Sequence, residues 1–358
     1  MLTPHLLLLS FQAVAPWAAT PPLEHGQVLR PLGQEVGVQK RGGAPSVSWH
    51  VDSEVARARA RENGRHVLVS FDGRGWCGFC ERLHAEVFDV PGFGATLSGD
   101  FEFVSLDFDA RYRPRAEGKL AEQHASLREA LEVKSFPEVV LMTPGGVPYA
   151  RFAYEPIGRE AFEAKLKDAR DEAVFLEQNI PLVEQALVGA QSPEEALAAG
   201  DAAIALLNAA EAHVLARPLV PIVQAQLAAP KIEIEREKSA VLALSLAQVV
   251  DDALVDRAFR LDPKNVEGLP EAALAGAFHS LKSARRLRPL LDKAEQLISL
   301  GKPFNKERAA RLFGDCAFWV DSWLDDPERA SILARYALSL EPTSPGLRSM
   351  LEGLSGGR

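Results

Sequence analysis

Between residues 48 and 172 the chain alternates short apolar runs with stretches of helical period, whereas beyond residue 172 only the helical period continues. The run HVLVSF (66–71) is almost continuously apolar and bounded by polar residues, the pattern of a buried central strand. Ahead of it, Asp52 or Ser53 caps a helix reaching Glu62, which Asn63 and Gly64 end. A glycine-containing turn over 72–75 leads into CGFCERLHAEVFDV (77–90), where Cys80, Leu83, Val87 and Phe88 recur at helical spacing. Those four are expected to face the sheet, leaving Cys77 at the helix N-terminus. FEFVSLDF (101–108) is a second strand, and a strand–helix–strand crossover predicts that it runs parallel to the first. A polar stretch over 111–118 then precedes a helix over 120–131. Next come SFPEVVLM (135–142), a strand opened by Pro137, the turn PGG (144–146), an apolar run over 148–154, and a helix from residue 159.

The second half is rich in Ala and Leu at helical spacing, for example over 196–213 and 310–324, and repeats a phrase. RLDP (260–263), SLGKP (299–303) and SLEP (339–342) place Leu261, Leu300 and Leu340 39 and 40 residues apart; QLAAP (226–230) is a fainter instance 34 residues earlier. Each follows one amphipathic helix and precedes another, the signature of stacked helical hairpins. The phrases around Leu261 and Leu340 resemble the ends of tetratricopeptide repeats, with a longer period than that family's.

The 358 residues suit two domains. A net charge of -9 and a pI near 5.5 exclude a general nucleic-acid binder, which needs a basic surplus on one face. The apolar run over 6–19 is too short for an ordinary transmembrane helix and has the character of a secretory leader, although its flank carries His5 rather than Lys or Arg. Residues 1–20 are thus expected to be a signal peptide, and 21–47, rich in Pro, Gly and Gln, a linker. No integral membrane span is expected beyond that leader.

Three cysteines cannot build a disulfide framework, so a bridge here would be functional rather than structural. Cys77 and Cys80 leave three readings open: a working dithiol, part of a metal site with His84 as third ligand, or two buried apolar side chains. Glu81 stands where covalent haem attachment needs His, and no cofactor is expected. Position favours the dithiol. At a helix N-terminus the unpaired N–H groups favour the Cys77 thiolate over a free thiol of pKa about 8.5. Cys80, one turn later, could resolve the mixed disulfide while shielded from solvent. Gly78 and Phe79 modulate that balance; Glu81 and Asp72 oppose the thiolate, Arg74 and Arg82 support it. Cys316, in an aromatic helix, reads as a buried free thiol.

The strand HVLVSF, the phrase WCGFC (76–80), the step from Phe136 to Pro137 and the glycine turn after it resemble the thioredoxin fold. FDGRGWCGFC (71–80) and EVF (86–88) are similar to an extended bacterial thioredoxin-like branch. The resemblance covers roughly residues 48–169. It implies an α/β thioredoxin-like domain over 48–172, with a central mixed sheet flanked by helices; the helical spacing beyond it predicts an all-α helical-repeat domain over 173–358. The resemblance further implies a redox-active Cys77–Cys80 disulfide, with Trp76, Gly78, Phe79 and Phe136 as neighbours and Pro137 as a cis-proline against the dithiol. Phe136 itself reads equally as a packing residue or a substrate contact. Two positions depart from the pattern: the buried acid of ordinary thioredoxins falls on Ser70, and the acid before the Trp is Gly75.

The leading expectation is an exported, periplasmic or secreted thiol-disulfide oxidoreductase of the reducing or isomerising kind. Its partners would be a protein disulfide substrate and a redox partner protein, with the helical half selecting them. The alternative is an interaction or adaptor protein whose helical half does the binding and whose thioredoxin-like domain turns over weakly; the helical half by itself also reads as a purely structural cap.

Overall fold

The computed structural model describes residues 47–356, so the expected signal peptide and all of the linker but Val47 lie outside the described residues. Five strands form one mixed sheet in the order β1-β3-β2-β4-β5. The crossover places β2 (His66–Asp72) parallel to β3 (Phe101–Asp107), with Ser70 opposite Ser105. β4 (Glu138–Met142) and β5 (Pro148–Phe152) continue the sheet antiparallel. A two-residue strand, β1 (Trp49–His50), adds to the outer edge of β3; it is too short to register as a period.

Strand alternation divides the core between the two faces of the sheet. Val67, Val69 and Phe71 pack with Ala56 and Ala60 of α1 (Ser53–Asn63) on one face. Asp52 caps α1 through the N–H groups of Glu54 and Val55, and Gly64 ends it in the left-handed region, φ 71°. Leu68 faces the other way, onto Leu83 and Val87. The helix holding these two differs from the expected single α-helix: α2 (Gly78–Leu83) widens at His84–Phe88 into a π-turn, whose Asp89 N–H returns to the His84 carbonyl at 2.8 Å. Between β3 and β4 lies α3 (Gly118–Ala130).

Helix α4 (Gly158–Gly189) is 32 residues long and contains the expected 172/173 boundary. Its Phe162 and Leu166 pack under the sheet, and its Leu176, Ile180 and Val183 belong to the same apolar cluster, which runs on to Leu351. Pro181 lies within it. The helices that follow are α5 (Pro193–Ala209), α6 (His213–Ala216), α7 (Val220–Leu227), α8 (Ile234–Leu246), α9 (Asp252–Leu261), α10 (Leu269–His279), α11 (Ala284–Ser299), α12 (Lys306–Trp319), α13 (Pro327–Ser339) and α14 (Pro345–Ser355). The recurring phrases fall at the ends of α7, α9, α11 and α13.

Polar contacts also recur between the helices, at a shorter spacing than the leucine phrases. Arg236 with Asp201, Arg286 with Asp252 and Arg329 with Glu295 bridge helices 35, 34 and 34 residues apart. A carboxylate early in one helix accepts backbone N–H groups that open a later segment: Glu271 takes those of Phe304 and Asn305 at 3.0 and 3.1 Å, and Glu307 that of Thr343 at 2.8 Å. Glu271 is fully buried, and burial raises its carboxyl above the usual range against the opposing pull of Arg308 and those N–H groups. Such contacts satisfy backbone donors of the segments that lead into α12 and α14. No helix among the described residues is long and apolar enough to cross a membrane.

Candidate active site

Cys77 is the N-cap of α2, its backbone extended at φ -95° and ψ 105°, and its sulfur accepts the Cys80 N–H at 3.2 Å. The two sulfurs are bonded, and their Cα atoms lie 5.3 Å apart. Cys77 keeps 8% of its surface in solvent and Cys80 none. The inner sulfur also accepts the Gly73 N–H at 3.4 Å. The turn before the dithiol requires its glycines. A Cβ on Gly73 would stand 2.5 Å from the Trp76 ring, and Gly75 has φ 81°. The Gly75 N–H is held by Glu81 Oε1 at 2.8 Å, and Arg74 lies 3.6 Å from the same carboxylate.

The peptide bond between Phe136 and Pro137 is cis, and the Phe136 carbonyl oxygen lies 3.5 Å from Cys77 Sγ. Pro137 is buried, while Phe136 is half-buried and joins an aromatic wall. Its ring lies 5.9 Å from Trp76 and stacks on Tyr112 at 5.0 Å and Phe108 at 5.3 Å. Trp76 donates its indole N–H to the Phe108 carbonyl at 2.8 Å. On the other side, Phe79 is 60% exposed and stacks on Tyr154 at 5.9 Å; Gly78 is exposed beside it. The bonded pair therefore lies between two aromatic surfaces.

Tyr112 was not singled out from the polar stretch over 111–118, although an aromatic among three arginines in RYRPR is the signal that could have found it. It sits in the left-handed region, φ 60°, where Asp109 holds the loop by accepting the N–H groups of Arg111 and Arg113 at 2.8 and 3.0 Å. The Arg128 guanidinium lies 5.7 Å from its ring.

Asp72 and His84 lie against one another. Asp72 lies on the face of β2 that carries Leu68 and Ser70, is fully buried, and accepts the Ser70 hydroxyl at 2.8 Å. His84 Nε2 stands 3.3 Å from Asp72 Oδ1, and its Nδ1 3.4 Å from Asp89 Oδ1. Burial disfavours the His84 imidazolium, but the hydrogen bond and charge of Asp72, assisted by Asp89 and opposed by Arg74, raise its pKa above 6.5. Among the described residues no group of three or more His, Cys, Asp and Glu is arranged to hold a metal ion. Cys316 is buried in α12, where desolvation pushes its thiol well up.

Residues 53–170 match the family model of the thioredoxin-like domain. Two curated relatives, both from Chlamydia pneumoniae, align with this region. The thioredoxin-related protein DsbJ is 28% identical over 98 residues, which are 27% of this chain and 28% of that protein. The disulfide bond reductase DsbH is 23% identical over 140 residues, 39% of this chain and 82% of that protein. The chain therefore spans little more than a quarter of DsbJ and most of DsbH. A solved structure titled DsbH oxidoreductase is 22% identical, covering 39% of this chain and 94% of its own with a TM-score of 0.33.

Proposed function

We propose that this chain, whose residues 53–170 form a thioredoxin-like domain, is a thiol-disulfide oxidoreductase working through Cys77 and Cys80. The observation that carries this reading is the unequal placement of the two bonded sulfurs. Cys77 reaches solvent at a helix N-terminus between two aromatic surfaces, and Cys80 lies wholly behind it.

In the reduced enzyme the helix N-terminus favours the Cys77 thiolate. Its sulfur attacks one sulfur of a substrate disulfide; a Cys77–substrate bond forms, and the other substrate sulfur leaves as a thiolate and takes a proton. Cys80 then attacks Cys77 Sγ, the mixed bond breaks, and the second substrate sulfur leaves. The substrate gains two electrons, and the enzyme ends as the Cys77–Cys80 disulfide. An external dithiol, supplied by a redox partner protein, returns it to the reduced state.

The direction proposed is reduction or isomerisation, in keeping with a relative titled a disulfide bond reductase. The helical region is proposed to bind the protein partner; it carries an open groove of about 830 Å³ between α7, α8 and α9, lined by Leu227, Leu244, Val250, Leu254, Arg257 and Arg260 among others. The compartment proposed is the periplasm or the exterior, from the apolar run over 6–19. Insulin reduction driven by dithiothreitol tests the activity. Acceleration by the full chain that is lost in Cys77→Ser supports it, whereas a rate equal to dithiothreitol alone leaves only the adaptor reading.

A further inference from the structure

The face of α3 turned to the sheet carries a cation. His124 and Leu131 are buried there, and Arg128, four residues after the first and three before the second, shares their face. Its guanidinium lies over two rings, 5.7 Å from Tyr112 and 6.0 Å from Phe108. Its Nε is buried without a hydrogen-bond partner, and the side chain forms no ion pair among the described residues. The acids that precede Tyr112 in the chain are already engaged: Asp109 with Arg113 at 2.6 Å and Asp107 with Arg115 at 3.4 Å. Arg111, beside Tyr112, is exposed and likewise has no carboxylate partner among the described residues. In a chain of net charge -9, Arg111 and Arg128 thus leave positive charge uncompensated around one ring.

That ring connects the cation to the reactive sulfur. Tyr112 stacks on Phe136 at 5.0 Å and lies 6.0 Å from Trp76, and the Phe136 carbonyl stands 3.5 Å from Cys77 Sγ. A bulky side chain is costly at φ 60° unless its surroundings hold it there, and such strain gathers at functional sites. Here Asp109 holds the loop, and the result is a ring 38% exposed that adjoins both the dithiol wall and Arg128. The opposite aromatic surface carries no such surplus: Glu86 accepts the Tyr154 hydroxyl at 2.9 Å, and Arg82 reaches the same tyrosine.

We propose that Arg128, with Tyr112 as its platform and Arg111 adding to its charge, is a specificity-determining subsite for an acidic side chain of the substrate. The disulfides preferred are then those whose cysteine is flanked on one side by Asp or Glu. This deepens the oxidoreductase reading above and rests on it. A planar guanidinium can offer paired N–H groups to a carboxylate, and one that has no internal acid keeps them for an incoming one. An extended peptide advances about 3.3 Å per residue, so a carboxylate roughly three to five residues from the substrate cysteine spans from Cys77 across Tyr112 to Arg128. Because the charge surplus lies on the Tyr112 side alone, it also sets the direction in which the peptide crosses Cys77.

The test uses the reduced full-length chain in stopped flow with end-capped synthetic peptides, each carrying one cysteine as its 2-pyridyl disulfide, an uncharged leaving group. The Cys77 thiolate attacks the peptide sulfur, and the pyridine thiolate leaves, takes a proton and is read as thiopyridone. Cys80 then loses its proton, bonds to Cys77 Sγ and displaces the peptide thiolate, which is protonated in turn. Three sets of peptides differ only in Asp, Asn or Lys placed three, four or five residues before or after the cysteine. At low salt the best Asp peptide should react at least about fivefold faster than its Lys counterpart, with Asn between them, and added salt should shrink the ratio. Arg128→Gln should bring the ratio close to one, Arg128→Glu should invert it, and Arg128→Lys, which keeps the charge, should retain part of it. The ratio is internal to each protein, so a variant that reacts more slowly with every peptide still gives it. Equal rates for the three sets in the unaltered protein overturn the inference, as does an Asp preference that persists in Arg128→Glu. If the unaltered protein releases thiopyridone neither from any peptide nor from 2,2′-dipyridyl disulfide, the dithiol reading itself fails and takes this inference with it.

Discussion

The carbonyl oxygen of Phe136 stands 3.5 Å from Sγ of Cys77, across 59 residues of chain. β4 pairs antiparallel with β2, so the segment leading into β4 arrives beside the end of β2 from which the dithiol turn departs. The outer sulfur is thereby covered on one side by backbone and left open on the side facing the aromatic rings.

That asymmetry sets different fates for the two cysteine variants. Cys77→Ser should react neither with disulfides nor with alkylating reagents at mildly acidic pH. Cys80→Ser should still attack but lack the intramolecular release route, so a mixed disulfide should accumulate and be visible on a non-reducing gel. Trapping by the Cys77 variant instead would reverse the assignment.

Tyr112 extends the aromatic wall by stacking on Phe136, whose carbonyl faces Cys77. Aromatic pairs are worth about 0.5–1.5 kcal/mol beyond area burial, so Tyr112→Ala should slow reduction of a protein disulfide about two- to tenfold. Reduction of a small disulfide, which does not span the wall, should change less. Equal slowing of both substrates would mean that the ring only holds the loop in place.

His66 begins β2 and is 2% exposed, with Nδ1 2.9 Å from the Tyr149 hydroxyl and Nε2 3.7 Å from Glu177 of α4. Burial, aided by Arg170 and opposed by Asp100, pulls its pKa from 6.5 down to about 4. The unfolded chain therefore binds the proton first as pH falls. Stability should be fully present above 6.5 and decline between 6.5 and about 4, by a total on the order of 3 kcal/mol. Denaturant titrations across that window check it, and His66→Gln should flatten the slope; an unaltered slope in the variant assigns the acid sensitivity elsewhere.

Truncation tests how far the two halves depend on one another. A chain stopped after residue 172 loses Leu176, Ile180 and Val183 from the shared apolar cluster, together with the Glu177 contact to His66. A chain stopped after Ala190 keeps Glu177 beside His66, 3.7 Å apart, and should melt above the shorter one. The longer version should keep exchange with small disulfides and lose the protein partner. Comparable melting of the two would show that α4 contributes nothing to the sheet domain beyond residue 172.

Much of this protein is determined locally. Period-2 and near-continuous apolar runs mark β2, β3 and β4, Asp52 and Gly64 bound α1, and the recurring leucine phrases end α7, α9, α11 and α13, because each signal lies within a few residues of the element it forms. Likewise Cys77 falls at a helix start and Cys80 inside because a turn precedes them and an amphipathic helix follows. What only the tertiary structure decided is who meets whom across the chain. Tyr112 is a loop residue until β3 and the approach to β4 bring its ring onto Phe136, and the alternation of β2 points Asp72 toward α2 without saying that His84 waits there. The expected boundary at residue 172 marks a real change in composition, yet α4 crosses it, because a helix that buries one face under the sheet and the next stretch of that face against other helices meets no break in its own period.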